Sequence, residues 1–207
     1  MKGLRPLQAS PELFFRYVTV CTPLFGEGFF APPRRVYAAL PLHTLAWGDR
    51  MKIRWKALII ALAIPLGVGV LAGLAGRGGM AAFAALQKPP LTPPGWVFPV
   101  VWTALYIAMG IASYLIATSG AQRESVRMAL GAYGVSLVFN ALWPVLFFTF
   151  GQHLLAFIDL MLLWLTLRHA LLQFCMVRRT AAHWLFPTLL WTTFAGYLNL
   201  GVWLLNR

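Results

Sequence analysis

Residues 51–76 read MKIRWKALIIALAIPLGVGVLAGLAG, a basic start followed by a run, 57–76, that carries no charged side chain. A helix needs about 20 apolar residues to cross the hydrocarbon core of a bilayer, and this run meets that requirement. The whole chain has the same character, because 60% of its residues are hydrophobic, 11% are charged and the mean hydropathy is +0.73. This composition indicates an integral membrane protein and argues against a soluble domain.

Comparable apolar runs recur towards the C-terminal end. All connections between them except 76–95 are short, so consecutive helices must be antiparallel neighbours in the membrane. The sequence therefore predicts an all-α fold, an integral membrane bundle of five transmembrane helices formed by residues 51–207. The expected spans are 55–75, 96–118, 125–150, 152–176 and 182–205.

The first fifty residues differ from the rest of the chain. They contain six prolines and no uninterrupted apolar run of membrane length. Nor do they show the apolar core and small-residue cleavage site of a signal peptide. We expect residues 1–50 to be a poorly structured N-terminal extension; the alternative is that the start was mis-assigned and the protein begins at Met51.

The positive charge of the chain is distributed as a topology signal. Its formal net charge is +12, and the Lys and Arg residues after Met51 sit singly or in small groups at the ends of apolar runs. No basic face forms, so nucleic acid is not an expected partner. Most of these residues lie on the side of the first helix's start, whereas only Arg77, Lys88 and Arg207 lie on the other. This bias predicts that the N-terminus is in the cytoplasm. We expect a multi-pass protein of a bacterial cell membrane; in an organellar or outer membrane the labels of the two sides would change.

Residues 86–106, LQKPPLTPPGWVFPVVWTALY, lead from a proline-rich loop into the second predicted helix. Proline fixes φ and has no N–H donor, so the segment 88–94 with its four prolines cannot lie inside a helix. We therefore expect a stiff loop on the end of a membrane helix, placed to close over a cavity between helices.

Three predicted helices carry aromatic, small and amide side chains at spacings of three or four residues, which places each set on one helical face. One interpretation is a ligand site, because aromatic walls with a few donors suit a flat and largely apolar ligand. The other is packing, with interfacial aromatics and asparagines that join helices. The candidate site residues are Trp102, Tyr106, Asn140, Trp143, Trp191, Ala195 and Asn199.

Conventional catalytic sets are not apparent in the sequence. The four histidines have no metal-ligand spacing, so no metal site is expected, and there is no Ser/His/Asp set, phosphate-binding glycine loop or carboxylate pair. Asp159 is the only acid deep in a predicted helix and has no companion at helical spacing. A bond between helices, or a position exposed to water, explains it better than a proton relay.

Three ordered segments carry a resemblance to a known family. They are LQKPPLTPPGWVFPVVWTALYIAMGIASYLI at 86–116, FNALWPVLFF at 139–148 and FPTLLWTTFAGYLNLGVWLLN at 186–206. With them the chain resembles the TspO/MBR family, which comprises the tryptophan-rich sensory proteins of bacteria and the mitochondrial translocator protein, or peripheral-type benzodiazepine receptor. The resemblance implies a five-helix homodimer that binds tetrapyrroles such as protoporphyrin IX and heme, and other hydrophobic small molecules, and requires no cofactor.

The resemblance also implies roles for individual residues. The pocket positions of the family fall on the candidate residues above, and the tryptophans tied to light-dependent breakdown of protoporphyrin IX fall on Trp102 and Trp191. Two departures stand out. Ala82 and Phe83 replace a Trp-Tyr pair before the loop, and Leu200 replaces the Tyr of the animal cholesterol motif, so cholesterol is not an expected partner.

Three functions therefore stay open at the level of sequence. The first is a tetrapyrrole-binding protein that acts in transport, sensing or regulation of tetrapyrrole metabolism. The second is an enzyme that degrades protoporphyrin IX in light, in which Trp102 and Trp191 would be the catalytic residues. The third is a structural membrane scaffold without a specific ligand.

Overall fold

A computed structural model describes residues 53–207, with only the backbone of Met80; the predicted extension 1–50 lies outside the described residues. This part of the chain contains five helices that are long and apolar enough to cross a membrane. The all-α fold class predicted from the sequence is thereby confirmed. The long helices are α1 Trp55–Gly76, α3 Val97–Ala117, α4 Arg123–Pro144, α5 His153–Val177 and α6 Arg179–Leu205, and a short helix, α2, covers Met80–Ala85.

Glycines mark two of the boundaries between the long helices. Gly120 has a φ of 73° between α3 and α4, and Gly151 has a φ of 62° between α4 and α5. Glycine adopts these positive values without the steric cost that a side chain brings, so both positions suit a sharp reversal of the chain. Both of these helix boundaries therefore fall at a glycine.

The end of α4 changes helical type at a proline. The sequence predicted one bent helix over 125–150, but α4 is α-helical only to Pro144, and Val145–Thr149 form a π-helix. Proline removes a backbone donor and crowds the preceding turn, which accounts for the change at this residue. The π-helix turns Phe147 and Phe148 towards the inside of the bundle, where both contact the ring of Phe83.

The long connection after α1 is partly helical, contrary to the prediction of an unbroken loop over 76–95. Arg77–Gly79 form a 3-10 turn and Met80–Ala85 form α2. Four of the six α2 residues are alanine, the strongest helix former, and the prolines that exclude helix come only later. The proline-rich segment 88–94 itself contains no helix, as predicted.

The helices form a closed ring rather than a row in chain order. In the described part of the chain α1 packs against α3, α3 against α6, α6 against α5, α5 against α4, and α4 returns to α1. The consecutive helices α3 and α4 have only limited contact with each other. This arrangement leaves an interior space between α1, α3, α4 and α6 at the end of the bundle that holds the proline loop.

Two glycines permit close packing of α1 on α3. A Cβ on Gly110 would lie 2.9 Å from the Cα of Leu62, and one on Gly69 would overlap the ring of Tyr106. Gly69 and Gly73 form a small-residue step in α1, and Gly69 receives a neighbour within this chain. Its second member, Gly73, has no atom within 4 Å of an added Cβ and lines the interior space.

Candidate ligand-binding cavity

A cavity of about 530 Å³ occupies the space between α1, α3, α4 and α6. Its volume falls within the roughly 300–1,000 Å³ of known small-molecule sites. The wall is made largely of apolar and aromatic side chains, and α5 contributes no described residue to it. Six of the seven candidate residues line this single cavity, namely Trp102, Tyr106, Asn140, Trp143, Ala195 and Asn199.

The seventh candidate, Trp191, lies outside the described wall. Its ring is half-buried and meets the edge of Phe98, a lining residue, at 6.1 Å between ring centroids. Trp191 precedes Asn199 by eight residues, which corresponds to about 12 Å along a helix and about 80° around it. Residues four positions apart therefore do not stay on the same side of the helix. Over two turns the difference moves Trp191 away from the cavity that Asn199 lines.

Tyr106 and Asn140 form the polar centre of the wall. The Tyr106 hydroxyl donates a hydrogen bond of 2.5 Å to Oδ1 of Asn140, and both side chains are buried. The Nδ2 group of Asn140 is buried and has no partner among the described residues. A buried amide donor without a partner is costly, so this N–H group is available to an acceptor on a ligand.

Trp143 and Asn199 use their polar atoms within the protein. The indole Nε1 of Trp143 donates to Oδ1 of Asn199 at 2.9 Å, and Nδ2 of Asn199 donates to the main-chain oxygen of His153 at 2.8 Å. These bonds link α4, α6 and the start of α5. Trp143 and Asn199 therefore line the cavity with side chains held in place by bonds within the protein. The amide donor without a partner comes from Asn140.

Stacked aromatic pairs form two sides of the cavity. Trp102 stacks on Tyr106 with ring centroids 5.6 Å apart, and Trp143 stacks on Phe147 at 5.2 Å. Offset stacking holds each ring in place beyond the effect of simple burial. A rigid aromatic surface on α3 and another at the end of α4 suit a flat apolar molecule.

The sequence did not identify three lining phenylalanines as site residues. Phe83 meets the edges of Phe147 and Phe148 at 5.7 Å and 5.4 Å, and all three line the cavity. The signal was present, since Phe147 and Phe148 end the segment FNALWPVLFF and Phe83 follows Ala82. Helical spacing places Phe147 on the face of Asn140 and Trp143, whereas Phe148, one residue further along, joins the wall in the π-helix after Pro144.

The proline loop closes the cavity and is fastened to the end of α6. Thr92 and Gly95 of the loop line the cavity. The side chain of Asn206 accepts a bond from the Gln87 nitrogen at 3.0 Å and donates one to the Gln87 oxygen at 2.9 Å. The Tyr197 hydroxyl donates to the oxygen of Pro90 at 3.0 Å. The loop is therefore held as a lid by side chains of α6.

No acidic or histidine side chain is among the described residues of the wall. Asp159 is buried in α5 without a hydrogen-bond partner among residues 53–207, and it does not line the cavity. Within the same range, no group of three His, Cys, Asp or Glu side chains is placed to hold a metal ion.

Together these features define a class: an integral membrane protein of five helices with an aromatic cavity beneath a fastened loop. The chain belongs to the TspO/MBR family, whose sequence profile, described as "TspO/MBR family", matches residues 61–204. It is 33% identical to "Tryptophan-rich protein TspO" of Chlorobaculum tepidum over 153 residues, which cover 72% of this chain and 97% of that protein. It is 36% identical to "Translocator protein" of Homo sapiens over 148 residues, or 71% and 88% of the two chains. Over 126 residues it is 36% identical to "Protein CrtK" of Rhodobacter capsulatus, covering 60% and 78%.

Proposed function

We propose that this protein binds tetrapyrroles such as protoporphyrin IX or heme in the membrane, and that it acts in their transport, sensing or regulation. The observation that carries the proposal is the meeting of six candidate residues around one cavity of about 530 Å³. A flat apolar macrocycle suits walls made of the Trp102–Tyr106 and Trp143–Phe147 stacks. Relatives named as a tryptophan-rich sensory protein and a translocator protein support the same broad role.

Binding in this cavity would draw on three sources of free energy. The macrocycle would remove its faces from water and contact the aromatic stacks, at about 25 cal/mol per Å² of apolar surface buried. The Nδ2 group of Asn140 would gain the acceptor that it lacks inside the protein. The lid would then separate the bound molecule from water at the membrane surface.

The deciding experiment is a titration of the full chain in lipid nanodiscs with protoporphyrin IX in darkness, followed by tryptophan fluorescence. Saturable binding of defined stoichiometry, weakened by Ala195→Phe, is the expected result. Linear partitioning identical to that of empty nanodiscs would refute the proposal and favour the structural scaffold instead.

A second candidate function is degradation of protoporphyrin IX in light. The observation that favours it is the position of the Trp102 indole at the cavity wall, in a stack with Tyr106. Light would make the bound porphyrin a one-electron oxidant, so that the indole in contact with it becomes a radical cation and the porphyrin a radical anion. Dissolved dioxygen would be the oxidant that breaks the macrocycle. Illumination of the loaded protein tests this, because loss of porphyrin absorbance should be faster than in empty nanodiscs and should slow in Trp102→Phe. Equal bleaching in all samples would exclude it.

We also propose a membrane setting and an assembly for this function. The distribution of Lys and Arg supports an N-terminus in the cytoplasm and a lid on the outer side, and the relatives from Chlorobaculum tepidum and Rhodobacter capsulatus support a bacterial cell membrane. A homodimer is consistent with α4, where Met128, Val135 and Val138 are exposed and Gly131 has no atom within 4 Å of an added Cβ. Reporter fusions at Arg207 test the orientation, and the mass of the purified protein in nanodiscs tests the dimer.

A further inference from the structure

Among the described residues that line the cavity, Arg77 alone carries a charge. It follows α1 directly as the first residue of the 3-10 turn Arg77–Gly79. Its side chain is exposed, whereas Tyr106 and Trp143 are buried. The cavity is therefore apolar in its interior and positively charged at its mouth.

Packing fixes the backbone that carries Arg77. A Cβ on Gly79 would overlap the main-chain oxygen of Phe148, so the 3-10 turn lies directly against the π-helix. The Thr149 hydroxyl donates to the oxygen of Ala75 at 2.7 Å, one turn before. These contacts hold the turn against the cavity wall and give the backbone of Arg77 a fixed place at the mouth.

No described acidic residue neutralises this charge. Only Glu124 and Asp159 are acidic within residues 53–207. Glu124 pairs with Arg127 at 2.9 Å at the start of α4, whereas the cavity is lined by the other end of that helix. Asp159 lies in α5, which contributes nothing to the described wall. The mouth therefore has an unbalanced positive charge.

Lys88 adds a second positive charge beside the mouth. Its Nζ atom lies 5.0 Å from the centroid of the Phe83 ring, which lines the cavity. Two of its N–H groups are used, since Nζ donates to the oxygens of Ala84 at 2.9 Å and Leu86 at 3.1 Å. Lys88 thus contributes to the local potential, while Arg77 is the cation placed on the wall itself.

We propose that Arg77 binds a carboxylate of the ligand, so that the cavity selects flat apolar molecules that carry an anionic group at one edge. This inference rests on the proposed function and names the ligand class for the same site. A guanidinium group presents two parallel N–H donors that match a carboxylate, and such charge-assisted bonds are about twice as strong as neutral ones.

The test compares protoporphyrin IX, which has two carboxylates, with its dimethyl ester, which has none and keeps the same macrocycle. Binding of both to the full chain is measured in darkness in nanodiscs of zwitterionic lipid, so that anionic headgroups do not compete for Arg77. The proteins are the unmodified chain, Arg77→Gln, Arg77→Lys and Arg207→Gln. Arg207 is a matched control, since it is at the same end of the bundle, stacks on Trp203 at 5.7 Å and does not line the cavity.

We expect Arg77→Gln to weaken protoporphyrin IX binding about ten-fold, in line with the loss of one charge-assisted bond, and to leave binding of the ester unchanged. Arg77→Lys should keep part of the affinity, and Arg207→Gln nearly all of it. Equal affinities of acid and ester for the unmodified chain, together with no effect of Arg77→Gln, would overturn the inference and leave the proposed function intact. If neither porphyrin binds saturably, the proposed function fails, and this inference fails with it.

Discussion

The hydroxyl of Tyr106 donates a 2.5 Å hydrogen bond to Oδ1 of Asn140 and so connects α3 to α4, two consecutive helices that otherwise have limited contact. The bond also orients the amide, because its oxygen is engaged and its Nδ2 group is left without a described partner. The Tyr106 side chain thus joins the two helices, and it also determines that the N–H group of the Asn140 amide is the one left unbonded.

Replacing Tyr106 by Phe tests the structural part of this relationship. The change removes the hydroxyl, leaves Oδ1 of Asn140 buried and unpaired, and should lower the free energy of unfolding by about 1–3 kcal/mol. Denaturant unfolding in detergent micelles measures the difference. Tyr114→Phe is the control, since the Tyr114 hydroxyl accepts its bond from the backbone of Arg54 at an exposed position. Equal losses of unfolding free energy in the two variants would show that the buried bond stabilises the fold no more than the exposed one.

Trp102 lines the cavity and Trp191 lies outside the described wall, so substitutions of the two should weaken ligand binding to different extents. Trp102→Phe removes aromatic surface from the wall and should weaken protoporphyrin IX binding roughly three- to ten-fold, the equivalent of about 0.5–1.5 kcal/mol for an aromatic contact. Trp191→Phe should have a smaller effect, because the Phe98 ring lies between it and the cavity.

Trp164→Phe provides the control for both variants. Trp164 is on α5, which contributes no described residue to the wall, and its Nε1 donates to Thr193 at 2.9 Å. Titration in darkness should give an unchanged dissociation constant for it. A larger effect at Trp191 than at Trp102 would contradict the cavity as the binding site.

Ala195→Phe should fill the cavity from the side of α6. Ala195 is buried and lines the wall, so a benzyl group there would occupy space that a ligand needs. Affinity for protoporphyrin IX should fall by more than about ten-fold, because overpacking of a filled site costs on the order of 1–3 kcal/mol. Ala104→Phe adds the same group at an exposed position of α3 outside the wall and should leave the titration unchanged.

Sequence reasoning identified the helices well because their signal is local. The ends predicted for the third helix, 125–150, differ little from the observed Arg123–Thr149 span, since apolar length, glycine and charge act within a few residues. Helical spacing also placed Tyr106 beside Trp102. Spacing also grouped Trp191 with Asn199, but it does not show how far α6 runs past the cavity, and Trp191 lies outside the described wall.

Other features of the site depend on contacts between distant segments. The bond between Tyr106 and Asn140 joins residues 34 positions apart, and the pairing of Gln87 with Asn206 spans 119. No pattern in the local sequence predicts either pairing. The π-helix that brings Phe148 to the wall beside Phe147 follows Pro144 and packs against Gly79, a residue of a distant segment.

Asn206→Ala should loosen the lid without altering the aromatic walls. The change removes both bonds between the α6 end and Gln87, while the bond from Tyr197 to Pro90 remains. Release of protoporphyrin IX should accelerate several-fold, because a lid of lower local stability opens more often. Stopped-flow dilution of the loaded protein measures the rate. Leu205→Ala, at an exposed neighbouring position, should release at the rate of the unmodified chain, and equal acceleration in both would refute the fastening.

Adjacent glycines in the turn after α1 offer a direct test of close packing at the mouth. A Cβ on Gly79 would overlap the main-chain oxygen of Phe148, whereas one on Gly78 would meet no atom within 4 Å. Gly79→Ala should therefore lower the free energy of unfolding by about 1–3 kcal/mol, as overpacking does. Gly78→Ala should be neutral or slightly stabilising, because alanine restricts the unfolded chain more than glycine. Denaturant unfolding of the two variants under the same conditions compares them. The same stability for both variants would mean that the turn does not lie against the π-helix. The inferred position of Arg77 at the mouth of the cavity would then be wrong.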